Sequence, residues 1–396
     1  MKFAYTALLA SAITGVFAVP TPSEQGPITA RQAASACATP VTLSGNPFAG
    51  RSIYANKFYS SEVLSAAASI TDSALKAKAT KVASVGTYLW LDTRAKIASA
   101  EDAIKNVGCN QIAALVIYNL PGRDCAAKAS NGELAVGQLD VYKTQYIDQA
   151  IVAIIKKYPK VAISLIIEPD SLPNLVTNSN VQACQAAAQG YRDGVAYALK
   201  SLNLPNVAMY LDAGHGGWLG WPDNLQPGAK VLADAYIAAG KPKSLRGIST
   251  NVAGWNAWDL TPGEFSTGDG QWNKATNEKA YVELFAPYLA SAGMPNQAVV
   301  DTGRNGVQYL RKAWGDWCNV KGAGFGARPT TNTGSSYVDS FVWVKPGGES
   351  DGTSDTSATR YDSFCGLDDA YKPSPEAGAW NQPYFEALLK NAKPSF

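Results

Sequence analysis

The stretch that decides the fold runs from residue 146 to residue 170 and reads YIDQAIVAIIKKYPKVAISLIIEPD. Ile147, Ile151 and Ile154 recur at helical spacing, which predicts an amphipathic helix over residues 146–158. The apolar run at residues 161–167 has the length and β-branched content of a strand buried on both faces. A helix followed by such a strand is the repeating unit of a parallel α/β sheet.

The same unit recurs along the chain. We predict short buried strands at residues 88–91, 112–118, 161–167, 207–211, 245–249, 298–300 and 340–344, and further helices at 182–202 and 278–292. About seven parallel strands with helices outside predict an α/β fold, a distorted, TIM-like parallel barrel formed as a single domain over residues 33–396. An open, doubly wound sheet is the alternative.

Composition restricts the class of function. The 396 residues carry 34 Lys+Arg against 32 Asp+Glu, a net charge of +2, which favours neither nucleic acid nor an anionic membrane as partner. A single histidine, His215, excludes most zinc sites and makes any histidine-dependent triad rely on one ring. The 10 Trp, 19 Tyr and 11 Phe suit flat, neutral ligands such as sugars.

The N-terminus predicts secretion to the extracellular space. Residues 1–18 combine a basic Lys2, an apolar stretch and a small-residue cleavage site, as a signal peptide does. We interpret residues 19–32 as a propeptide or flexible N-terminus, and no later apolar run is long enough for a membrane span. In an oxidising compartment the six cysteines predict structural disulfides, and their spacing alone allows fifteen connectivities.

Carboxylates follow several predicted strands, where the reacting groups of parallel barrels collect. Asp124, Asp170 and Asp351 would thus meet at one mouth of the barrel, as hydrolysis of a glycosidic bond by two carboxyl groups requires. Asp170 is the acid candidate because it follows an apolar strand, and a helix N-cap is its alternative role. Asp124 could share the proton of Asp170, or could instead form a salt bridge with Arg123.

Aromatic and polar side chains near these carboxylates are candidate sugar contacts. Trp218 and Trp221, three residues apart among glycines, would present both rings on one side for stacking. His215 could be a ligand, a general base or a hydrogen-bonding group. Lys345 and Glu349 could bond sugar hydroxyls, or form a surface ion pair of little energetic value.

Two other classes of function are open at this point. Residues 348–352 match G-x-S-x-G, the nucleophile elbow of serine esterases. No helix is predicted after Ser350, and the lone histidine precedes it, so an esterase is a remote alternative. A noncatalytic glucan-binding protein would show the same aromatic residues without needing the acids.

Five motifs, in order along the chain, carry a specific resemblance: YNLPGRDCAAKASNGE (118–133), IEPDSLPNLVTN (167–178), NVAMYLDAGHGGWLGWP (206–222), WGDWCNV (314–320) and SFVWVKPGGESDGTSD (340–355). Over residues 46–396 the chain resembles glycoside hydrolase family 6, fungal cellobiohydrolase II type. The resemblance implies a distorted α/β barrel with a tunnel roofed by two loops. It also implies hydrolysis of β-1,4-glucosidic bonds of cellulose and cello-oligosaccharides with inversion, releasing mainly cellobiose from the non-reducing end. No metal or cofactor is implied, and we expect a monomer.

The resemblance also implies roles for single residues. Asp170 matches the proton donor, Asp124 its partner, and Asp351 the proposed base, with a water-relayed route toward Asp124 as the rival. The remaining positions match substrate-binding residues: Tyr54, Asn56, Tyr118, Ser130, His215, Trp218, Trp221, Trp317, Lys345 and Glu349. Cys125 with Cys184 and Cys318 with Cys365 match the two family disulfides, whereas Cys37 and Cys109 match none and their pairing stays open.

Departures from the family pattern qualify these expectations. Tyr54 stands where tryptophan is expected, Gly254 where asparagine is expected and Ser350 where cysteine is expected. Both roofing segments, residues 124–143 and 345–378, are present, which favours exo attack in a tunnel over an endo-acting β-1,4-glucanase with an open cleft. The sequence contains no segment resembling a cellulose-binding module, so we expect weaker retention on crystalline cellulose.

Overall fold

A sheet of eight parallel strands forms the centre of the computed structural model, which describes residues 37–396. The strands are β1 Ser52–Ile53, β2 Leu89–Leu91, β3 Gln111–Ile117, β4 Ala162–Ile167, β5 Val207–Asp212, β6 Leu245–Thr250, β7 Gln297–Asp301 and β8 Val338–Val342. Seven of them confirm the predicted strands. Sequence analysis missed β1, because two residues are too few to show a periodic pattern.

The sheet curls into a distorted barrel. Its order is β1-β3-β4-β5-β6-β7-β8, and β2 pairs with the same edge of β3 as β1 does, further along the strand. The N–H of Tyr88, directly before β2, donates to the carbonyl of Trp343, directly after β8, at 2.9 Å. This bond joins the two ends of the strand order, so the predicted barrel is confirmed and the open doubly wound sheet is wrong.

Helices surround the barrel. They are Lys57–Ser69, Ser73–Val82, Ile97–Ile104, Leu139–Val141, Ala153–Lys157, Asn174–Thr177, Gln182–Ser201, Pro222–Ala238, Glu278–Ser291 and Gln382–Lys390, with a π-helix at Tyr142–Val152 and 3-10 helices at Arg94–Lys96, Gly268–Trp272 and Ser363–Gly366. The helix predicted over residues 146–158 is therefore the later part of a longer helical segment whose centre has π geometry.

The strands are buried on both faces, as their continuous apolar sequences predict. In β3, Leu115 and Ile117 belong to the core between the sheet and the helices, whereas Ala114 and Val116 belong to the core inside the barrel. Successive side chains of a strand point to opposite faces, so one apolar run supplies both layers. All four side chains are at most 4% exposed.

Three disulfides cross-link this fold. Cys125 pairs with Cys184 and Cys318 with Cys365, which confirms the two pairings implied by the family resemblance. The pairing that sequence analysis left open is Cys37 with Cys109.

The described residues, 37–396, fall in one compact unit. The predicted signal peptide (1–18) and propeptide (19–32) lie outside the described residues. Within residues 37–396, no helix has the length and apolar character that a membrane crossing requires.

Candidate active site

Three carboxylates follow adjacent strands at the C-terminal mouth of the barrel. Asp124 lies in the loop after β3, Asp170 in the loop after β4, and Asp212 ends β5. Asp124 and Asp170 have φ angles of 57° and 58°, in the left-handed region that side chains other than glycine rarely adopt. Such backbone strain persists where the surrounding structure enforces it, and it clusters at functional sites.

Asp170 sits where its acid form is favoured. Burial raises the pKa of Asp170 well above its ordinary value, and the nearby carboxyls of Asp212 and Asp124 raise it further. Its backbone N–H donates to Oδ2 of Asp212 at 3.1 Å. The alternative role as a helix cap is wrong, because the following helix, Asn174–Thr177, begins after Pro173 without a side-chain cap.

Asp124 faces a tyrosine and not its neighbouring arginine. The hydroxyl of Tyr118 donates to Oδ1 of Asp124 at 2.9 Å. Arg123 donates to backbone carbonyls, among them that of Ser130 at 2.9 Å, and stacks on the ring of Tyr118. The suggested Asp124–Arg123 salt bridge is therefore wrong. Burial raises the pKa of Asp124, and the hydrogen bond from Tyr118 opposes that rise.

Asp212 is a site residue that sequence analysis did not select. It is 2% exposed and accepts N–H bonds from Asp170 and Gly214. Burial raises the pKa of Asp212 to about 7, against these two hydrogen bonds. Its position at the end of a buried strand was the available signal.

We expect Asp212→Asn to move the basic limb of the pH–activity profile to lower pH. The amide keeps an acceptor for the Asp170 N–H but removes a negative charge that raises the pKa of Asp170. The acid form of Asp170 then titrates away at lower pH. The measurement is kcat/KM on cellohexaose across pH, with the exposed Asp234→Asn as control. An unmoved basic limb would contradict the coupling.

Glu168, directly after β4, supports the candidate site through buried hydrogen bonds. It is fully buried and accepts bonds from the hydroxyl of Tyr142 at 2.7 Å and from the N–H of Asn119 at 3.2 Å. These bonds attach the end of β4 to the loop that leads to Asp124. Burial raises the pKa of Glu168 to about 7 despite these donors.

The pKa values of about 7 for Glu168 and Asp212 predict a pH-dependent stability. In an unfolded chain both carboxyls titrate near pH 4 (roughly 4.3 and 3.9), so the folded protein binds more protons between about pH 4 and 7. The free energy of unfolding therefore falls as pH rises through that window. We expect the Tm difference between pH 4.5 and pH 8 to shrink in Glu168→Gln, measured by scanning calorimetry. An equal difference in variant and wild type would refute the assignment.

Asp351 is paired with a buried arginine. Nη1 of Arg304 lies 2.8 and 2.9 Å from its two carboxylate oxygens, and the N–H of Asn319 donates to Oδ2 at 2.8 Å. Arg304 follows β7, and its guanidinium stacks on Trp255 at 3.9 Å. Sequence analysis gave no role to Arg304 or Asn319.

Lys345 and Glu349 lie inside the molecule, so the suggested surface ion pair is wrong. Their side chains are both 12% exposed, with Nζ of Lys345 4.0 Å from Oε2 of Glu349 and 4.0 Å from Oδ1 of Asp351. Burial raises the pKa of Glu349, and the Lys345 ammonium opposes the rise.

Aromatic side chains line the loop after β5. Trp218 and Trp221 are half-buried, and their indole N–H groups donate to Thr177 Oγ1 at 2.6 Å and to the carbonyl of Gly217 at 3.0 Å. These bonds fix both rings. His215 Nδ1 accepts from the N–H of Gly217 at 3.1 Å, and burial together with Arg311 lowers the pKa of His215 to about 3. The imidazole is therefore neutral, which favours the hydrogen-bonding role over the general base.

Tyr54 and Asn56 follow β1, and Trp317 lies before Cys318. Tyr54 is half-buried, and Trp317 lies against Phe364 at 6.0 Å between ring centroids. Asn56 is buried: its Oδ1 caps the helix Lys57–Ser69 and its Nδ2 donates to Thr87. Asn56 thus has a structural role that its family position did not reveal.

Trp90 in β2 was also missed by sequence analysis. Its ring meets that of Tyr118 edge-on at 5.1 Å, and its Nε1 donates to the carbonyl of Val344 at 2.8 Å. Trp90, Asn56 and Glu349 line one narrow cavity. From sequence, a tryptophan inside a strand is predicted to be a core residue. Only the fold places Trp90 beside the carboxylates.

The two predicted roofing segments meet. The N–H of Lys128, in the first, donates to Oδ2 of Asp362, in the second, at 3.0 Å. A Cβ atom at Gly352 would lie 2.9 Å from that of Ala129, so the two segments also touch directly. Cys125–Cys184 anchors the first and Cys318–Cys365 the second.

The esterase alternative is wrong. Ser350 is fully buried, and its hydroxyl donates to backbone carbonyls, that of Pro375 at 2.8 Å among them. No helix follows it directly within the described chain, since residues 351–362 form loop structure.

The sequence matches the family described as Glycosyl hydrolases family 6 over residues 48–392. The chain belongs to glycosyl hydrolase family 6. It is similar to 1,4-beta-D-glucan cellobiohydrolase CEL6C of Podospora anserina, with 59% identity over 100% of both chains. It is also 50% identical to a putative endoglucanase type B of Fusarium oxysporum, over 89% of this chain and 78% of that protein.

Solved structures of glycosyl hydrolase family 6 have the same fold. Cellobiohydrolase II (Cel6A) of Humicola insolens, in complex with glucose and cellotetraose, superposes with a TM-score of 0.85 at 50% identity, covering 89% of this chain and 100% of that chain. The distorted α/β barrel of this chain is therefore the family 6 barrel.

Proposed function

We propose that this family 6 member is an extracellular cellulase, a cellobiohydrolase that cleaves β-1,4-glucosidic bonds of cellulose and cello-oligosaccharides with inversion. The observation that carries the proposal is the pair of Asp170, which is half-buried, and Asp124, which is buried: both have raised pKa values, and Asp124 begins the first of two loops that touch. The cellobiohydrolase names of the similar proteins support it. Three disulfides are consistent with an oxidising compartment.

In this mechanism Asp170 is the general acid. Its carboxyl proton passes to the glycosidic oxygen as the bond from that oxygen to the anomeric carbon breaks. Water attacks the anomeric carbon from the opposite face, so the product is the α anomer. The raised pKa of Asp170 keeps the proton available at mildly acidic to neutral pH.

The proton of the attacking water needs an acceptor. Both oxygens of Asp351 already accept hydrogen bonds from Arg304 and Asn319, which leaves this carboxylate poorly placed to act as the base. We propose that the proton leaves through a second water toward Asp124, whose carboxyl accepts from the neutral hydroxyl of Tyr118 and, unlike that of Asp351, is not paired with an arginine. Asp351, paired with Arg304, then shapes the site and its charge.

Sugar contacts complete the proposed site. Trp218 and Trp221 would stack glucosyl units on the leaving-group side, with His215 bonding a hydroxyl. Trp317, Lys345 and Glu349 would bind the non-reducing side, and Tyr118 with Ser130 would border the unit that is distorted. No cofactor enters the mechanism, and we propose that the enzyme acts as a monomer on single cellulose chains.

The test is proton NMR of cellohexaose during the first minutes of hydrolysis, which reports product sizes and the anomer released. We expect α-cellobiose as the main early product. Release of β anomers would overturn the inverting mechanism. The absence of hydrolysis would favour the alternative of a noncatalytic glucan-binding protein. A mixture of α products of several lengths would indicate endo action, which the contact between the two roofing segments disfavours.

A further inference from the structure

Two large aromatic side chains outside the site are unusually exposed. Trp272 is 69% exposed and Tyr309 is 58% exposed, the two highest values among the exposed large hydrophobic residues of the described chain. Isolated exposed apolar residues are common, but tryptophan is costly to leave in water and is enriched where proteins bind ligands. The surroundings of both residues therefore matter.

Tyr309 combines an exposed ring with a strained backbone. Its φ angle is 62°, which is an outlier for a bulky side chain. Its hydroxyl donates to the carbonyl of Pro262 at 2.8 Å. The hydroxyl bond ties the exposed ring to the segment that contains Pro262, and backbone strain of this kind clusters where proteins bind ligands.

Trp272 is anchored through its neighbour. It ends the 3-10 helix Gly268–Trp272, and the next residue, Asn273, is 1% exposed. Nδ2 of Asn273 donates to the carbonyl of Gly216 at 2.8 Å. Gly216 belongs to the loop that carries Trp218 and Trp221. One buried hydrogen bond therefore ties the backbone beside Trp272 to the stacking loop.

The segments that carry Trp272 and Tyr309 are also tied to each other. Glu264 accepts the N–H of Leu310 at 3.1 Å and pairs with the guanidinium of Arg311 at 2.6 Å. Phe265 contacts Trp314 at 4.9 Å between ring centroids, and Trp314 packs directly on Gly217. The segments that carry the two exposed aromatics are thus connected to the loop that carries Trp218 and Trp221, which we propose binds the leaving-group side.

We propose that Trp272 and Tyr309 form an outer platform that stacks β-1,4-glucan chains outside the tunnel. The inference rests on the proposed function. When attack starts at the non-reducing end, the remaining polymer extends from the leaving-group side, so this platform contacts polymer and not the released cellobiose. The occupant is a neutral chain of flat sugar faces, which matches aromatic rings and requires no charge complementarity.

The test compares binding to swollen amorphous cellulose at low temperature in the Asp170→Ala background, where hydrolysis is slow compared with the binding measurement. We expect the added Trp272→Ala to weaken partition about three- to tenfold, and Tyr309→Ala by a smaller factor. Trp272→Tyr, which keeps a stacking ring, should recover part of the loss. Tyr288→Ala, on the outer helix Glu278–Ser291 and 40% exposed, is the matched control and should bind unchanged.

Short substrates separate the platform from the active site. With Asp170 intact, kcat on cellohexaose should be equal in Trp272→Ala and wild type, because the platform lies outside the site. If the wild type hydrolyses cellohexaose but Trp272→Ala and Tyr309→Ala bind cellulose as well as their parent does, the platform is overturned and the proposed function stands. A wild-type chain that neither binds nor hydrolyses cellulose would overturn the proposed function and the platform together.

Discussion

Asp170→Ala should lower kcat on cellohexaose by about 100- to 10,000-fold, the range that a general acid contributes. The alkoxide that leaves an unactivated glucoside is too basic to depart without a proton, and Asp170 is the carboxyl that burial and two neighbouring carboxyls keep protonated. Oligosaccharide binding should persist, because the sugar contacts are unaltered. The measurements are steady-state hydrolysis and calorimetric titration with cellohexaose.

A leaving-group comparison makes this prediction specific. A cellobiosyl fluoride needs little help from an acid, so Asp170→Ala should lose far less activity on it than on cellohexaose. Asp234→Asn, in an exposed pair with Lys230 on the helix Pro222–Ala238, is the control and should leave both rates unchanged. Near-normal hydrolysis of cellohexaose by Asp170→Ala would contradict the assignment of Asp170 as the general acid.

Arg304→Met should destabilise the folded protein by about 3 kcal/mol, because it leaves the Asp351 carboxylate buried without its main partner. The Arg304 and Asp351 side chains are 1% and 6% exposed, so water replaces little of the lost interaction. Lys345, 4.0 Å from Asp351, compensates in part, which places the effect at the lower end of the usual range. Urea denaturation with disulfides intact measures the free energy of unfolding from the midpoint and the slope of the transition.

Two further variants separate the buried charge from simple loss of packing. Adding Asp351→Asn to Arg304→Met removes the unpaired charge and should recover part of the stability, as a double-mutant cycle would report. Arg360→Met removes a surface pair with Glu376, whose side chains are 38% and 43% exposed, and should change the midpoint little. No recovery in the double variant would show that packing on Trp255, and not the charge of Asp351, carries the effect.

Strand positions were predictable because buried parallel strands are continuous apolar runs, and β4 shows this directly with the sequence AISLII. The two-residue β1 was not, because its place depends on pairing with β3 and not on its own pattern. Asp170 and Asp124 were predictable for a related reason. Polar residues directly after buried apolar strands are easily recognised in a sequence, and the C-terminal ends of parallel strands lie at the same mouth of a barrel.

The chain's local patterns were enough to predict an α/β fold, most simply a barrel, and a mouth lined by carboxylates, whereas the aromatic sugar contacts stay a prediction. Residue types and their periodicity encode burial, and burial decides which segments become strands. Tertiary structure alone decided which residues interact. The hydrogen-bonded pairs are Arg304 with Asp351, Tyr118 with Asp124, Asp170 with Asp212, and Lys128 with Asp362. Arg304 and Asp351, Asp170 and Asp212, and Lys128 and Asp362 are far apart in sequence, so no local pattern records their contacts. Tyr118 and Asp124 are only six residues apart, but their contact depends on how the loop after β3 folds. The folded surroundings also raise the pKa values of Asp170 and Asp124, because desolvation of a carboxyl depends on the tertiary structure around it.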